Sequence, residues 1–293
     1  MVSTESGRSI GGDFDAPALL AAKARNENFP VASHLLARDV RVKLMAIYGF
    51  ARLADDLGDE AEGDRLALLD WLDSELDRAA SGNATHPALQ QLTPVIRELD
   101  LELDPFRNLI EANRMDQRTT RYRSFGDLVE YCMFSAAPVG RLVLAVFGVS
   151  TAERIALSDE VCIGLQVVEH LQDIGEDARR GRIYMPADDM ERFSCTEAEL
   201  LATEASPALR RVVAMEVGRA RALLAAGAPL AASLRLGPRA AVVGFAVGGM
   251  AALDSIERAG GDVLKSHCGP HKLDFARRAV YGFVVASARR GAS

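Results

Sequence analysis

Asp55 and Asp59 in LADDLGDE (53–60), and Asp173 and Asp177 in LQDIGED (171–177), are the residues whose type and spacing could do chemistry in this chain. On an α-helix, residues four apart lie about 40° apart around the axis and one turn along it, so each pair presents two carboxylates together. Glu169 stands one turn before Asp173. Like charges at this spacing repel, and a shared cation removes the repulsion. Hard divalent ions, Mg²⁺ above all, take carboxylate oxygens together with water and substrate phosphate oxygens. Two opposed pairs would form two jaws around such ions, which would hold a diphosphate and draw off charge as a carbon–oxygen bond breaks. The same spacing also suits two solvated helix faces, and spacing by itself leaves both readings open.

The arginines add a second observation. Arg52 lies three residues before Asp55, and ARRGRIYMP brings Arg179, Arg180, Arg182 and Tyr184 close behind Asp177. Guanidinium groups donate in a fixed fork that suits phosphate oxygens. Arg52 and Arg182 are the better candidates, whereas Arg179 and Arg180 read as surface residues. His170 adjoins the second cluster but points about 100° away from Glu169, so packing or surface contact is expected of it.

The elements that must position these groups read as helices. Leu44, Ile47, Tyr48, Ala51 and Leu57 predict one long helix over 40–60, and further helices are predicted over 64–80, 86–101, from 104, 124–148 and 158–182. Asp104 is expected as a cap with Pro105 behind it, a break is expected near Ala137-Pro138, and Ser158 is expected to cap the long acidic helix. Later helices follow Ser206 and cover 238–260 and about 271–288. Residues 1–15 read as a polar tail, and 16–290 as one all-helical domain without an internal linker.

Composition narrows the classes. With 49% hydrophobic and 26% charged residues the chain can bury a sizeable core, and a formal net charge of -7 argues against nucleic acid as a partner. Four dispersed cysteines and five histidines give neither a disulfide framework nor a zinc pattern. The N-terminus lacks a basic region followed by an apolar core, which predicts a cytoplasmic protein. AAVVGFAVGGMAAL (240–253) is too short to span a bilayer, leaving room for loose association with the inner face of a membrane.

Taken in order, ENFPVASHLL (27–36), MAIYGFARLADDLGDE (45–60), EANRMDQRTTRY (111–122), EYCMFSAAPVGRLVL (130–144) and LQVVEHLQDIGEDARRGRIYMP (165–186) resemble the squalene and phytoene synthases. ENFPV and the SA.PVG stretch look most like the bacterial hydroxysqualene synthase branch. The resemblance implies an all-α isoprenoid synthase fold with a central cavity. It implies Mg²⁺ on Asp55, Asp59, Asp173 and Asp177; Glu169, one turn before Asp173, is expected as a further ligand from its own position. Gln166 would lie beside the metals, Arg52, Arg182 and Tyr184 around the diphosphate, and Tyr48, Asn28 and Phe29 in or near the pocket, with Phe134 and Ala137 on its wall. The implied substrate is presqualene diphosphate, converted to hydroxysqualene for a downstream flavoenzyme. Head-to-head coupling of farnesyl or geranylgeranyl diphosphate is the alternative activity, and a noncatalytic helical assembly protein is the alternative of another class.

Three positions depart from the family's pattern: Glu169 and Ala137 each stand where asparagine is usual, and Gly249 stands where a late-helix tyrosine is common. A cationic reaction also needs a water-poor pocket. Its expected walls are Phe29, Tyr48, Phe50, Phe125, Leu128, Tyr131, Met133, Phe134 and Val139, with Ala136, Ala137 and Gly140 leaving room.

Overall fold

Leucine, valine, isoleucine and alanine at spacings of three and four put an apolar stripe on almost every helix, and the fold follows from burying those stripes together. The computed structural model describes residues 36–265. Asn28, Phe29 and the helix expected over about 271–288 therefore lie outside the described residues. In chain order the helices are α1 (Arg38–Asp55), α2 (Arg65–Ala80), α3 (Pro87–Leu99), α4 (Asp104–Asp116), α5 (Phe125–Ser135), α6 (Ala137–Val146) and α7 (Ala152–Arg179). They continue as α8 (Ala187–Arg192), α9 (Glu197–Leu200), α10 (Pro207–Ala226), α11 (Pro229–Ser233) and α12 (Leu236–Arg258). Among the described residues the β-structure amounts to one isolated parallel bridge between Arg121 and Ile183.

Several boundaries differ from expectation for identifiable reasons. The helix expected over 40–60 changes character at its end, because Asp56–Glu60 is a π-helical turn. The long acidic helix begins six residues earlier than Ser158, at Ala152, where the Thr151 side chain accepts from the backbone of Arg154. Ser158 is instead buried mid-helix. Asp104 is inside α4 without capping it by a side-chain hydrogen bond. The break near Ala137-Pro138 is present, since α5 stops at Ser135 and α6 restarts with proline in its first turn.

Two large cores share α4, which gives Phe106, Leu109 and Ile110 to one and Ala112 and Met115 to the other. One gathers Leu44, Ile47 and Phe50 of α1 with leucines of α2 and α3 and with Phe106 and Ile110 of α4. The other joins Leu128 of α5, Val167, Val168 and Leu171 of α7, Val212 and Val213 of α10 and Leu253 and Ile256 of α12. Each fully buried leucine or isoleucine contributes about 1.5–3 kcal/mol relative to exposure. The α6–α7 contact is close: a Cβ on Gly140 would come within 2.6 Å of Cys162 Sγ. Two apolar stretches, Phe125–Val146 and Leu236–Arg258, are long and apolar enough to cross a membrane, and half of each is buried in this packing.

Candidate active site

Both acidic clusters open onto the same polar cavity of about 250 Å³. Asp55 and Asp59 line it from the end of α1 and the π-turn, and Gln166, Glu169, His170, Asp173 and Asp177 line it from successive inward positions of α7. Arg180, Arg182 and Tyr184 complete that side. Helix α4 contributes Asn113 and Asp116, and α5 contributes Tyr131 and Ser135.

The first cluster is held by α4. Asn113 Nδ2 donates to Asp55 Oδ1 at 3.3 Å and to the Leu109 carbonyl at 3.1 Å, and Gln117 Nε2 donates to the Gly58 carbonyl at 3.0 Å. Gly58 is required at this crossing, because a Cβ there would collide with Asn113 Oδ1 and lie 2.8 Å from its Cγ. Asp56 points away from the cavity, is buried, and pairs with Arg52 at 2.6 Å. Arg52 also binds Glu60 at 2.9 Å, so the guanidinium expected at the diphosphate is engaged with carboxylates four and eight residues further along the chain.

The second cluster is continued by a segment folded back against residues 120–123. Ile183 N donates to the Thr120 carbonyl and Ala187 N to the Tyr122 carbonyl, both at 2.9 Å. That path delivers Arg182 to Asp59, Nη1 to Oδ1 at 2.7 Å, so a residue of the second motif closes on a residue of the first. Tyr184 is delivered to Asp116, donating its hydroxyl to Oδ1 at 2.9 Å, while Tyr131 donates to Oδ2 at 2.7 Å. His170 is buried rather than superficial and stacks on the Tyr184 ring at 3.9 Å with 16° between planes. Burial lowers its pKa to about 3, so the imidazole is neutral. Arg180 pairs with Glu176 at 2.8 Å.

Electrostatically the cavity is short of positive charge. Asp55 is exposed to the cavity, yet the protein packed around its carboxyl pushes it up to about 7 by desolvation, against the opposing effects of Asn113 and Arg52. Asp177 is also pushed up to about 7, by burial first and by Asp173 next. Burial raises Asp116 as well. Burial disfavours the charge on Arg182, but Asp59 and Asp116 outweigh it and keep the guanidinium firmly protonated.

Among the described residues no three acidic, histidine or cysteine side chains converge into a ready-made metal site. The carboxylates face one another across the cavity, and an all-oxygen donor set with incomplete protein coordination fits a hard divalent cation completed by phosphate oxygens. Asp55, Asp59, Glu169, Asp173 and Asp177 are the residues that would supply it.

The polar cavity runs into a second, largely apolar one of about 340 Å³, with Asp55, Ser135, Gln166 and Glu169 at the junction. Its walls are inward stripes: Leu44, Ile47, Tyr48 and Ala51 on α1, Val139, Gly140 and Val143 on α6, Val161, Cys162 and Leu165 on α7, and Val242 and Phe245 on α12. From Leu44 to Asp55 the stripe covers about 16 Å along the helix axis. Several expected wall residues lie elsewhere. Phe134 and Ala137 line neither cavity, Ala137 being fully buried, and Phe50 packs edge-on against Phe106 at 5.0 Å. Phe125 lies under the Arg219 guanidinium, and the Tyr131 hydroxyl is turned into the polar cavity. Gly249 admits Leu165, since a Cβ there would be 2.6 Å from Leu165 Cδ2. The α4 residues Asn113, Asp116 and Gln117 were not among the expected site residues. Their signal was the i, i+3, i+4 spacing of polar side chains inside EANRMDQ.

Residues 22–279 match the family described as squalene/phytoene synthase. The chain is 37% identical over 238 residues to the hydroxysqualene synthase of Zymomonas mobilis, covering 78% of this chain and 80% of that protein. It is 37% identical over 226 residues to the hydroxysqualene synthase of Rhodopseudomonas palustris, covering 75% and 76% respectively. The crystal structure of a squalene synthase from Alicyclobacillus acidocaldarius superposes with a TM-score of 0.77 at 43% identity, over 85% of this chain and 94% of that one.

Proposed function

Because the chain belongs to the squalene/phytoene synthase family, an enzyme family acting on prenyl diphosphates, we propose that it converts presqualene diphosphate to hydroxysqualene and releases diphosphate. The observation that carries this reading is the junction of the acid-lined cavity with the apolar one at Asp55, Ser135, Gln166 and Glu169. It offers a headgroup end and a hydrocarbon end to one amphipathic substrate. The likeness to two hydroxysqualene synthases supports the finer choice of substrate and product. Family membership sets aside the noncatalytic assembly reading.

In this reading Arg182 and Arg52 exchange their carboxylate partners for diphosphate oxygens, and Gln166 orients the headgroup at the junction. Bound Mg²⁺ on the five acidic residues supplies charge neutralisation for the departing diphosphate. The α1, α6 and α7 stripes exclude bulk water from the cyclopropylcarbinyl cation until a single water adds to carbon and loses its proton. The ring of Tyr48 faces passing positive charge. The product is a C30 alcohol for reductive removal of its hydroxyl by a flavoenzyme. The two half-buried apolar stretches support a location at the inner face of the membrane.

Incubating the protein with Mg²⁺ and presqualene diphosphate, then identifying products by mass spectrometry, tests the reading, with hydroxysqualene expected. Coupling of farnesyl or geranylgeranyl diphosphate head to head, with presqualene diphosphate untouched, would replace it by the prenyl transferase alternative.

A further inference from the structure

Among the described residues, Asp116 is the carboxylate that reaches the polar cavity from outside α1, the π-turn and α7. Both of its oxygens are taken by phenols, Oδ2 by Tyr131 and Oδ1 by Tyr184. These phenols come from different parts of the chain, Tyr131 from α5 and Tyr184 from the segment after α7, and all three residues line the cavity. The two rings are 5.6 Å apart, and the Tyr184 ring is packed between His170 at 3.9 Å and Tyr122 at 5.7 Å. Orientation of the hydroxyls therefore rests on Asp116 and on the contact between the two phenols, because stacking fixes the rings but not the O–H bonds.

A carboxylate in this place accepts and does not donate, so both phenols must donate to it. Their protons are committed, and their oxygens are left as acceptors. We propose that Asp116 is a positioning residue that holds Tyr131 and Tyr184 as proton-committed acceptors at the cavity wall, so that neither phenol protonates the substrate while both oxygens face developing positive charge. Burial foremost, with Asp116 beside them, keeps both phenols protonated across the working pH range. Asp116 also helps hold the Arg182 charge, which couples the phenol pair to the headgroup end.

The inference rests on the proposed prenyl diphosphate chemistry for its kinetic readout, so the test has a second readout that does not. Asp116→Asn preserves shape but offers one acceptor and one donor, which forces one phenol to reverse from donor to acceptor. Expected in Asp116→Asn are an unchanged unfolding midpoint, a kcat for diphosphate release lower by about tenfold to a hundredfold, and a KM within about twofold. Tyr131→Phe in the Asp116→Asn background should cost little more than either change alone, because the two act through one hydrogen bond. Asp116→Glu, which keeps two acceptor oxygens, should recover part of the rate.

Independently of turnover, the tyrosine Fermi doublet in ultraviolet resonance Raman spectra, which separates donor from acceptor phenols, should shift toward acceptor in Asp116→Asn. A normally folded Asp116→Asn with wild-type kcat, or with an unchanged doublet, overturns the inference. So do multiplicative effects of Asp116→Asn and Tyr131→Phe. Diphosphate release is read for whichever prenyl diphosphate is turned over, so a wrong product assignment leaves this test standing.

Discussion

Gly58→Ala is the sharpest perturbation the site offers, because it adds one methyl group where α4 crosses the π-turn. The new Cβ would collide with Asn113 Oδ1 and lie 2.8 Å from Cγ and 3.0 Å from Cβ of a buried side chain. Asn113 cannot rotate away without giving up its bonds to Asp55 and to the Leu109 carbonyl. Overpacking costs about 1–3 kcal/mol. Two lost hydrogen bonds cost about 1 kcal/mol each. Replacing glycine in a helical turn returns up to about 1 kcal/mol. The net expectation is a loss of about 2–4 kcal/mol, seen as a lower urea midpoint at unchanged slope. Diphosphate release should fall as well, since Asp55 and Asp59 flank the displaced residue. Asn113→Ala removes the obstacle, so Gly58→Ala/Asn113→Ala should be no less stable than Asn113→Ala alone. A Gly58→Ala protein of wild-type stability, or a double variant whose losses simply add, would refute the steric reasoning.

Three further outcomes are expected. With Asp55 and Asp177 each near 7, half of each is protonated at pH 7, so cation and diphosphate binding should release about one proton per chain there and about a fifth of that at pH 8. Calorimetry in buffers of different ionisation enthalpy reads this directly. Asp173→Ala should cut diphosphate release by at least about a hundredfold while stability holds or rises slightly, because repulsion with Asp177 is relieved; a parallel loss of helicity would mark a structural carboxylate instead. Remote from the site, Glu216 is fully buried, shares Arg219 with Asp189, and is raised to about 7 by burial foremost. Its folded form holds the proton more tightly than the unfolded form, so its contribution is full below about pH 4.5 and is lost as pH rises through 7. Glu216→Gln should flatten that loss by up to about 3 kcal/mol in urea titrations at pH 5 and pH 8.

The all-helical class and the convergence of LADDLGDE with LQDIGED on one cavity were legible, because the spacing of three and four holds along the helices, and the π-turn at Asp56–Glu60 still leaves Asp55 and Asp59 on the cavity side. The partners of the arginines were not. Arg52 turns back to Asp56 and Glu60 on a π-turn, and that turn has no local composition signal beyond Gly58. Wall residues were misread where an aromatic ring had an equally apolar alternative, as Phe50 has in Phe106. Asp116 escaped notice because its two tyrosine partners are fifteen and sixty-eight residues away, and one acidic residue on an otherwise ordinary helix looks solvated.

Gly249 also limits the order in which this chain can change. Its missing side chain is filled by Leu165 from α7, with Leu224 of α10 at 3.1 Å from the same point. A ring could enter at 249 only after Leu165 had become smaller, and Leu165 made smaller first would leave a void until the ring arrived. Either path crosses a less stable intermediate, so positions 165, 224 and 249 behave as one heritable unit, and relatives that differ at one of them should differ at the others.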